Sequence, residues 1–243
     1  MSEIKKFNVF RFDPEKDKKH RFETYDVPWE SGQTVLDGLN YIRENIDGSL
    51  AYRSSCREGV CGSCAIHVNE KYQLACEIQL KEMPKNITIR PLANLEIIKD
   101  LYVDFDIFWK KYKAIKPYLI GTAGEPNKER IQTRDERANL DVIIDCILCA
   151  ACYASCGMNA LDPEYLGPAA LAKANRFYMD SRDHADEERL ALVAGDNGVF
   201  RCHTMFNCQV ACPKDVDPTA NIASLKRSII SSQMSSKFSK KSI

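Results

Sequence analysis

The sequence predicts an α+β fold in which a strand-rich half precedes a helical half. Two observations carry this. Through residues 1–92 apolar and polar residues alternate, whereas after Pro91 apolar residues recur at three-and-four spacing. The 11 cysteines also fall into three tight groups, one in the first half and two in the second.

The elements follow in order. Phe7, Val9 and Arg11 alternate with Asn8 and Phe10, which reads as a strand. Residues 20–29 are extended in character and include Pro28. Val35, Leu36, Leu39 and Ile42 share one helical face behind Thr34, a suitable N-cap. Ile66 and Val68, the polar turn Asn69–Lys71 and the run from Tyr72 to Ala75 predict a hairpin. Ile87 and Ile89 mark one more strand. Strands around a single helix describe a small α+β roll. Past Pro91, the series Ile97, Ile98, Leu101, Phe105, Phe108, Tyr112 and Ile115 predicts a helix of about five turns, stopped near Pro117. A polar loop follows at 121–132. Further helices are expected at 168–180, 186–194 and 217–230, two of them opening beside Pro168 and Pro218.

Composition narrows the function. Lys plus Arg and Asp plus Glu both number 34, so the net charge is zero, unlike that of a nucleic-acid binder. Residues 1–14 lack the apolar core of a secretory signal, and no run approaches the roughly 20 apolar residues of a membrane-spanning helix. An odd cysteine count in a reducing compartment points away from disulfides and toward metal. The final stretch carries Lys226, Arg227, Lys237, Lys240 and Lys241 and no acid, which suits an anionic membrane surface or a solvated terminus.

Cys56-x4-Cys61-x2-Cys64, with Cys76 eleven residues on, is the plant-type ferredoxin spacing for a [2Fe–2S] cluster. Gly59 and Gly62 let that loop turn tightly around two irons. Zinc is the rival for such thiols, although its sites usually pair two separated C-x2-C knuckles. The other two groups are Cys146-x2-Cys149-x2-Cys152-x3-Cys156 and Cys202-x2-Met205-x2-Cys208-x3-Cys212-Pro213. Each follows the bacterial ferredoxin run, whose fourth cysteine serves the other cluster. Crossed in that way, Cys146, Cys149, Cys152 and Cys212 hold a [4Fe–4S] cluster. Cys202, Cys208 and Cys156 hold the other, with Met205 at its fourth corner. A thioether is a weak ligand beside a thiolate, so this cluster is expected as [3Fe–4S]. Every cysteine is then used. No G-x-G-x-x-G or P-loop is present and the four histidines show no zinc-like pairing, so substrate chemistry belongs to a partner.

These motifs, in this order, resemble the iron–sulfur subunits of succinate dehydrogenase and quinol:fumarate reductase. The resemblance runs through S-C-R-E-G-V-C-G-S-C at 55–64, A-I-K-P-Y-L-I-G at 114–121, L-G-P-A-A at 166–170, S-R-D-H at 181–184 and C-P-K-D-V-D-P at 212–218. It implies a plant-type ferredoxin-like β-grasp domain at 1–104 and an all-α bacterial-type ferredoxin-like domain at 105–243. It implies a flavoprotein partner with FAD, a membrane anchor, and electrons passing between FAD and quinone through the three clusters. It also implies a peripheral position on the cytoplasmic face of the inner membrane, or the matrix face in a mitochondrion. His203 and Lys226 match family positions near the quinone. The segment G-M-N-A-L-D-P-E-Y after Cys156 lacks the tryptophan of many succinate dehydrogenases and is similar to fumarate-reductase-type chains, which leans toward menaquinone. Two alternatives share these features: another flavoprotein oxidoreductase, such as a thiol-linked fumarate reductase, and a zinc-binding interaction module.

Overall fold

The structure, a computed structural model, describes residues 3–121 and 128–239. Lys240 and Lys241 of the basic tail lie outside these, as do the Lys237 side chain and the middle of the 121–132 loop. The elements in chain order are β1 (Glu3–Arg11), β2 (Arg21–Trp29), α1 (Val35–Asn45), β3 (Ala65–Val68), β4 (Lys71–Leu74), β5 (Asn86–Arg90), β6 (Ile97–Lys99), β7 (Tyr102–Val103), α2 (Asp106–Ala114), α3 (Arg134–Ala138), α4 (Asp141–Ile144), α5 (Ala151–Ala154), α6 (Gly157–Leu161), α7 (Pro168–Tyr178), α8 (Asp186–Ala194), α9 (Asn207–Val210) and α10 (Pro218–Ser239). The chain divides into two compact units.

The first unit comprises Met1–Ile107 together with Ile147–Ser155. Its five-stranded sheet has the order β2-β1-β5-β3-β4, with β1 and β5 parallel and the other pairs antiparallel. Pro28 lies in β2, an edge strand, where a missing N–H breaks no ladder. Alternation along β1 and β5 buries Phe7, Val9, Ile87 and Ile89, and α1 contributes Val35, Leu36, Leu39 and Ile42. Gly38 of α1 seats the helix on the Phe7 ring; a Cβ there would overlap Phe7 Cζ. Thr34 caps α1 as expected, and Asp37 completes a reciprocal capping box. Arg11 is buried at the end of β1 and donates to Glu23, Tyr25, Asp47, Ser49 and Asp100. A charge this deep persists only with such partners.

The expected five-turn helix after Pro91 is not formed. Residues 97–103 make the small β6–β7 hairpin instead, and only Asp106–Ala114 is helical. Asp100 is the cause. Its buried carboxylate accepts from Arg11, from the Phe12 amide and from the Ala51 amide, with its own backbone left-handed at φ 50°. These long-range bonds override a three-and-four apolar spacing that local pattern alone reads as helix.

The second unit comprises Phe108–Cys146 and Cys156–Ile243. Its core gathers Ile115, Met158, Tyr165, Leu171, Phe177, Leu190, Val193, Val199, Ile222, Leu225 and Ile229. Buried Ala169, Ala170, Ala172 and Ala174 give α7 a slim surface. Pro168 and Pro218 stand at the first positions of α7 and α10, as expected. Deep in this unit, the Arg189 guanidinium bonds the Asp183 carboxylate at 2.6 Å and the carbonyls of Ile115, Lys116 and Tyr118. Asp183 in turn accepts from the amides of Ile120 and Ala185. The 114–121 and 181–184 motifs are thus two sides of one clamp. Among the described residues no helix is long and apolar enough to cross a membrane.

Candidate metal centres

The first cysteine group is built by a loop and a hairpin within the first unit. Arg57, Gly59 and Gly62 take left-handed conformations with φ of 62°, 68° and 74°, and so coil residues 56–64. A side chain at Gly59 would strike Glu77, and one at Gly62 would come within 2.8 Å of Cys149 Cβ. The coil aims amides at sulfur. Cys56 Sγ accepts from the Glu58 and Cys61 amides at 3.4 and 3.3 Å, and Cys61 Sγ from the Cys56 and Ser63 amides at 3.5 Å each. Hairpin pairing of Ala65 with Leu74 then carries Cys64 and Cys76 together, with their sulfurs 3.3 Å apart.

Electrostatics divides these thiols. Burial raises Cys61, but the Ser63 hydroxyl and the surrounding amides outweigh it and bring the thiol to about 6. Burial pushes Cys64 up to about 12. The surroundings therefore favour the thiolate at Cys61 and oppose it at Cys64. Arg53, beside this loop in sequence, stacks 3.9 Å over Tyr102 and donates to the Val103 carbonyl at 2.8 Å.

The two later groups repeat one backbone device. Leu148 and Ala150 have φ of 56° and 62°; Thr204 and Phe206, at the same offsets from Cys202, have φ of 56° and 61°. Each run then enters a single helical turn, α5 or α9, that carries the third cysteine position. Left-handed backbone at non-glycine residues costs energy and persists where the local structure demands it. Cys149 and Cys152 belong to the first unit. In the second, Cys146 and Cys212 pack against the small cluster of Leu140, Ile143 and Val216. Cys212 Sγ accepts from the Val216 amide at 3.4 Å.

Cys156, Cys202 and Cys208 are brought together on the wall of one pocket in the second unit, with about 340 Å³ of empty space including its mouth. Met205 stands on the same wall, 46 % exposed. Gly157, in the position the ferredoxin run gives to proline, makes room for it: a Cβ there would sit 2.7 Å from the Met205 methyl. Burial raises the thiols of Cys156 and Cys208. His203 lines the pocket, and Lys226 Nζ donates to the Cys202 carbonyl at 2.8 Å. Sequence reasoning missed Tyr165 and Thr219, which line the pocket from the turn before α7 and from α10. Nothing local marks them, since each reaches the pocket across the tertiary fold.

The donor sets fit iron–sulfur clusters. Within the first unit the loop at 56–64 and the hairpin, and within the second the pocket of Cys156, Cys202 and Cys208, bring soft sulfur ligands together, with amide N–H groups aimed at sulfur as clusters require. Among the described residues, no three candidate ligands close on one point as around a lone ion.

Comparison with known proteins agrees. The family of the 2Fe-2S iron-sulfur cluster binding domain matches residues 6–110, and that of the 4Fe-4S dicluster domain matches residues 143–216. The succinate dehydrogenase iron-sulfur subunit of Coxiella burnetii is 40% identical over 227 residues, covering 92% of this chain and 96% of that protein. The fumarate reductase iron-sulfur subunit of Haemophilus influenzae is 40% identical over 233 residues, covering 91% of each. A chain of the Mycobacterium smegmatis Sdh1 complex in the apo form shares the fold, with a TM-score of 0.86 at 23% identity, over 96% of this chain and 98% of that one. The chain belongs to the family of succinate dehydrogenase and fumarate reductase iron–sulfur subunits.

Proposed function

We propose that this chain is the electron-relay subunit of a membrane-associated succinate:quinone oxidoreductase. It joins FAD on a flavoprotein subunit to quinone at a membrane anchor, while the dicarboxylate chemistry stays on the flavoprotein. The supporting observation is the set of three cysteine constellations in a member of this family. Each cluster, when bound, accepts and releases one electron at a time, and potentials of such groups span roughly −700 to +450 mV.

The chain's own residues supply ligands and surroundings. Cys56, Cys61, Cys64 and Cys76 serve [2Fe–2S] in a plant-type ferredoxin-like β-grasp domain, residues 1–104. Cys146, Cys149, Cys152 and Cys212 serve [4Fe–4S], and Cys156, Cys202 and Cys208 serve [3Fe–4S], in an all-α ferredoxin-like domain at 105–243. For the four-iron set the argument is the motif spacing. For the three-iron set it is also the shared pocket. His203 on that pocket is suited to hydrogen-bond a quinone oxygen or pass a proton. Lys226 holds the Cys202 carbonyl and places a positive charge nearby. The chain sits peripherally on the cytoplasmic membrane face, held by its anchor partner.

Met205→Cys in the purified native complex tests the ligand assignment. The variant is expected to lose the low-temperature EPR signal of an oxidised three-iron cluster, gain a four-iron signal on reduction, and bind more iron. A wild-type complex without a three-iron signal, or a variant with an unchanged spectrum, contradicts the assignment.

A further inference from the structure

One of the three sulfurs in the Cys156–Cys202–Cys208 pocket faces a buried hydroxyl, and a buried tyrosine lines the same pocket. Thr219, the second residue of α10, has its Oγ1 3.3 Å from Cys208 Sγ, with both side chains buried. Tyr165 is 1 % exposed and lines the same pocket as Cys202. Cys202 Sγ also accepts from the Thr204 amide at 3.4 Å. Backbone N–H groups cannot be removed by substitution, whereas these two hydroxyls can.

A cysteine bound to iron is a thiolate and can only accept a hydrogen bond. Once the site is loaded, a hydroxyl proton facing sulfur must therefore turn toward it. A donor aimed at a ligand sulfur offsets negative charge, and the added electron is more negative charge on the same group. The reduced state gains more than the oxidised one, so the potential rises. Burial strengthens the effect, because little water competes or screens.

We propose that Thr219 and Tyr165 are positioning residues that raise the reduction potential of the three-iron cluster by donating O–H···S bonds to Cys208 and Cys202. This rests on the three-iron reading of the pocket. Both residues act through ligands and touch neither dicarboxylate nor quinone.

The test is a redox titration of the purified native complex, following the oxidised three-iron EPR signal at low temperature. Thr219→Val keeps the shape and removes the donor; Thr219→Ser keeps the donor; Tyr165→Phe removes the other. Valine and phenylalanine are each expected to make one-electron reduction about tenfold less favourable, a fall of about 59 mV, with the signal intact. Serine is expected to stay within about twofold of wild type, the mark of a retained hydroxyl. An intact signal with unmoved potential in both donor-free variants overturns the proposal. So does a serine shift as large as valine's, which would mean packing rather than hydrogen bonding. If Thr219→Val fails to load its cluster, Tyr165→Phe alone decides in the same two directions. A wild-type complex lacking the three-iron signal overturns the cluster assignment itself and is recognised before any variant is read.

Discussion

Arg189 is almost completely buried, and its partner Asp183 entirely so. Burial pushes the Asp183 carboxyl up, but Arg189 and the amides of Ile120 and Ala185 more than reverse this and hold it below the usual carboxylate range. Its stabilising contribution is therefore complete above the ordinary carboxylate value of about 3.9 and is lost as pH falls through the lowered one. Arg189→Met strands a buried charge and is expected to destabilise by about 3–5 kcal/mol at neutral pH. Thermal denaturation of the parent and variant complexes across pH checks this; the gap between them should narrow in acid, where Asp183 is protonated in both. At this scale the cysteines were legible because cluster spacing is a local property of sequence. Arg189, Tyr165 and Thr219 were not: Arg189 binds carbonyls far along the chain, and the other two lie outside the cysteine motifs. Arg189 meets carbonyls some seventy residues away.

Among the elements, α1 shows how close packing limits a helix. Its capping box and buried stripe were written in the sequence through Thr34, Val35, Leu36, Leu39 and Ile42. Gly38 was not readable there, because glycine inside a helix normally weakens it by about 0.8–1 kcal/mol relative to alanine. Contact with the Phe7 ring reverses the expectation. Gly38→Ala is expected to lower stability by about 1–3 kcal/mol despite its better helix propensity, since the buried ring has nowhere to move. Chemical denaturation midpoints decide the sign. The misread stretch at 97–115 teaches the converse. Its apolar spacing suits a helix, but the Asp100 carboxylate finds three donors elsewhere and the chain turns to meet them.

For the whole molecule, the change of period after Pro91 was legible and anticipated a sheet-bearing part followed by a helical part. The return of Ile147–Ser155 to the first unit was not, because it is a short cysteine-rich run with no strand or long helix of its own. The Cys56, Cys61, Cys64 and Cys76 group lies wholly in the first unit. Cys61→Ser should accordingly weaken or alter the two-iron signal and leave the three-iron signal at full intensity, as read by EPR of the reduced and oxidised complex.

That returning run shapes what can be dissected. Within the first unit it presses Cys149 against Gly62 and lets Asn94 donate to the Tyr153 and Ala154 carbonyls at 3.4 and 3.0 Å. A shortened gene stopping at residue 107 would encode the sheet yet omit the strip that packs against Gly62 and binds Asn94. On the ribosome that run emerges roughly sixty residues after β5 completes the sheet, so the first unit closes only well after its strands are made.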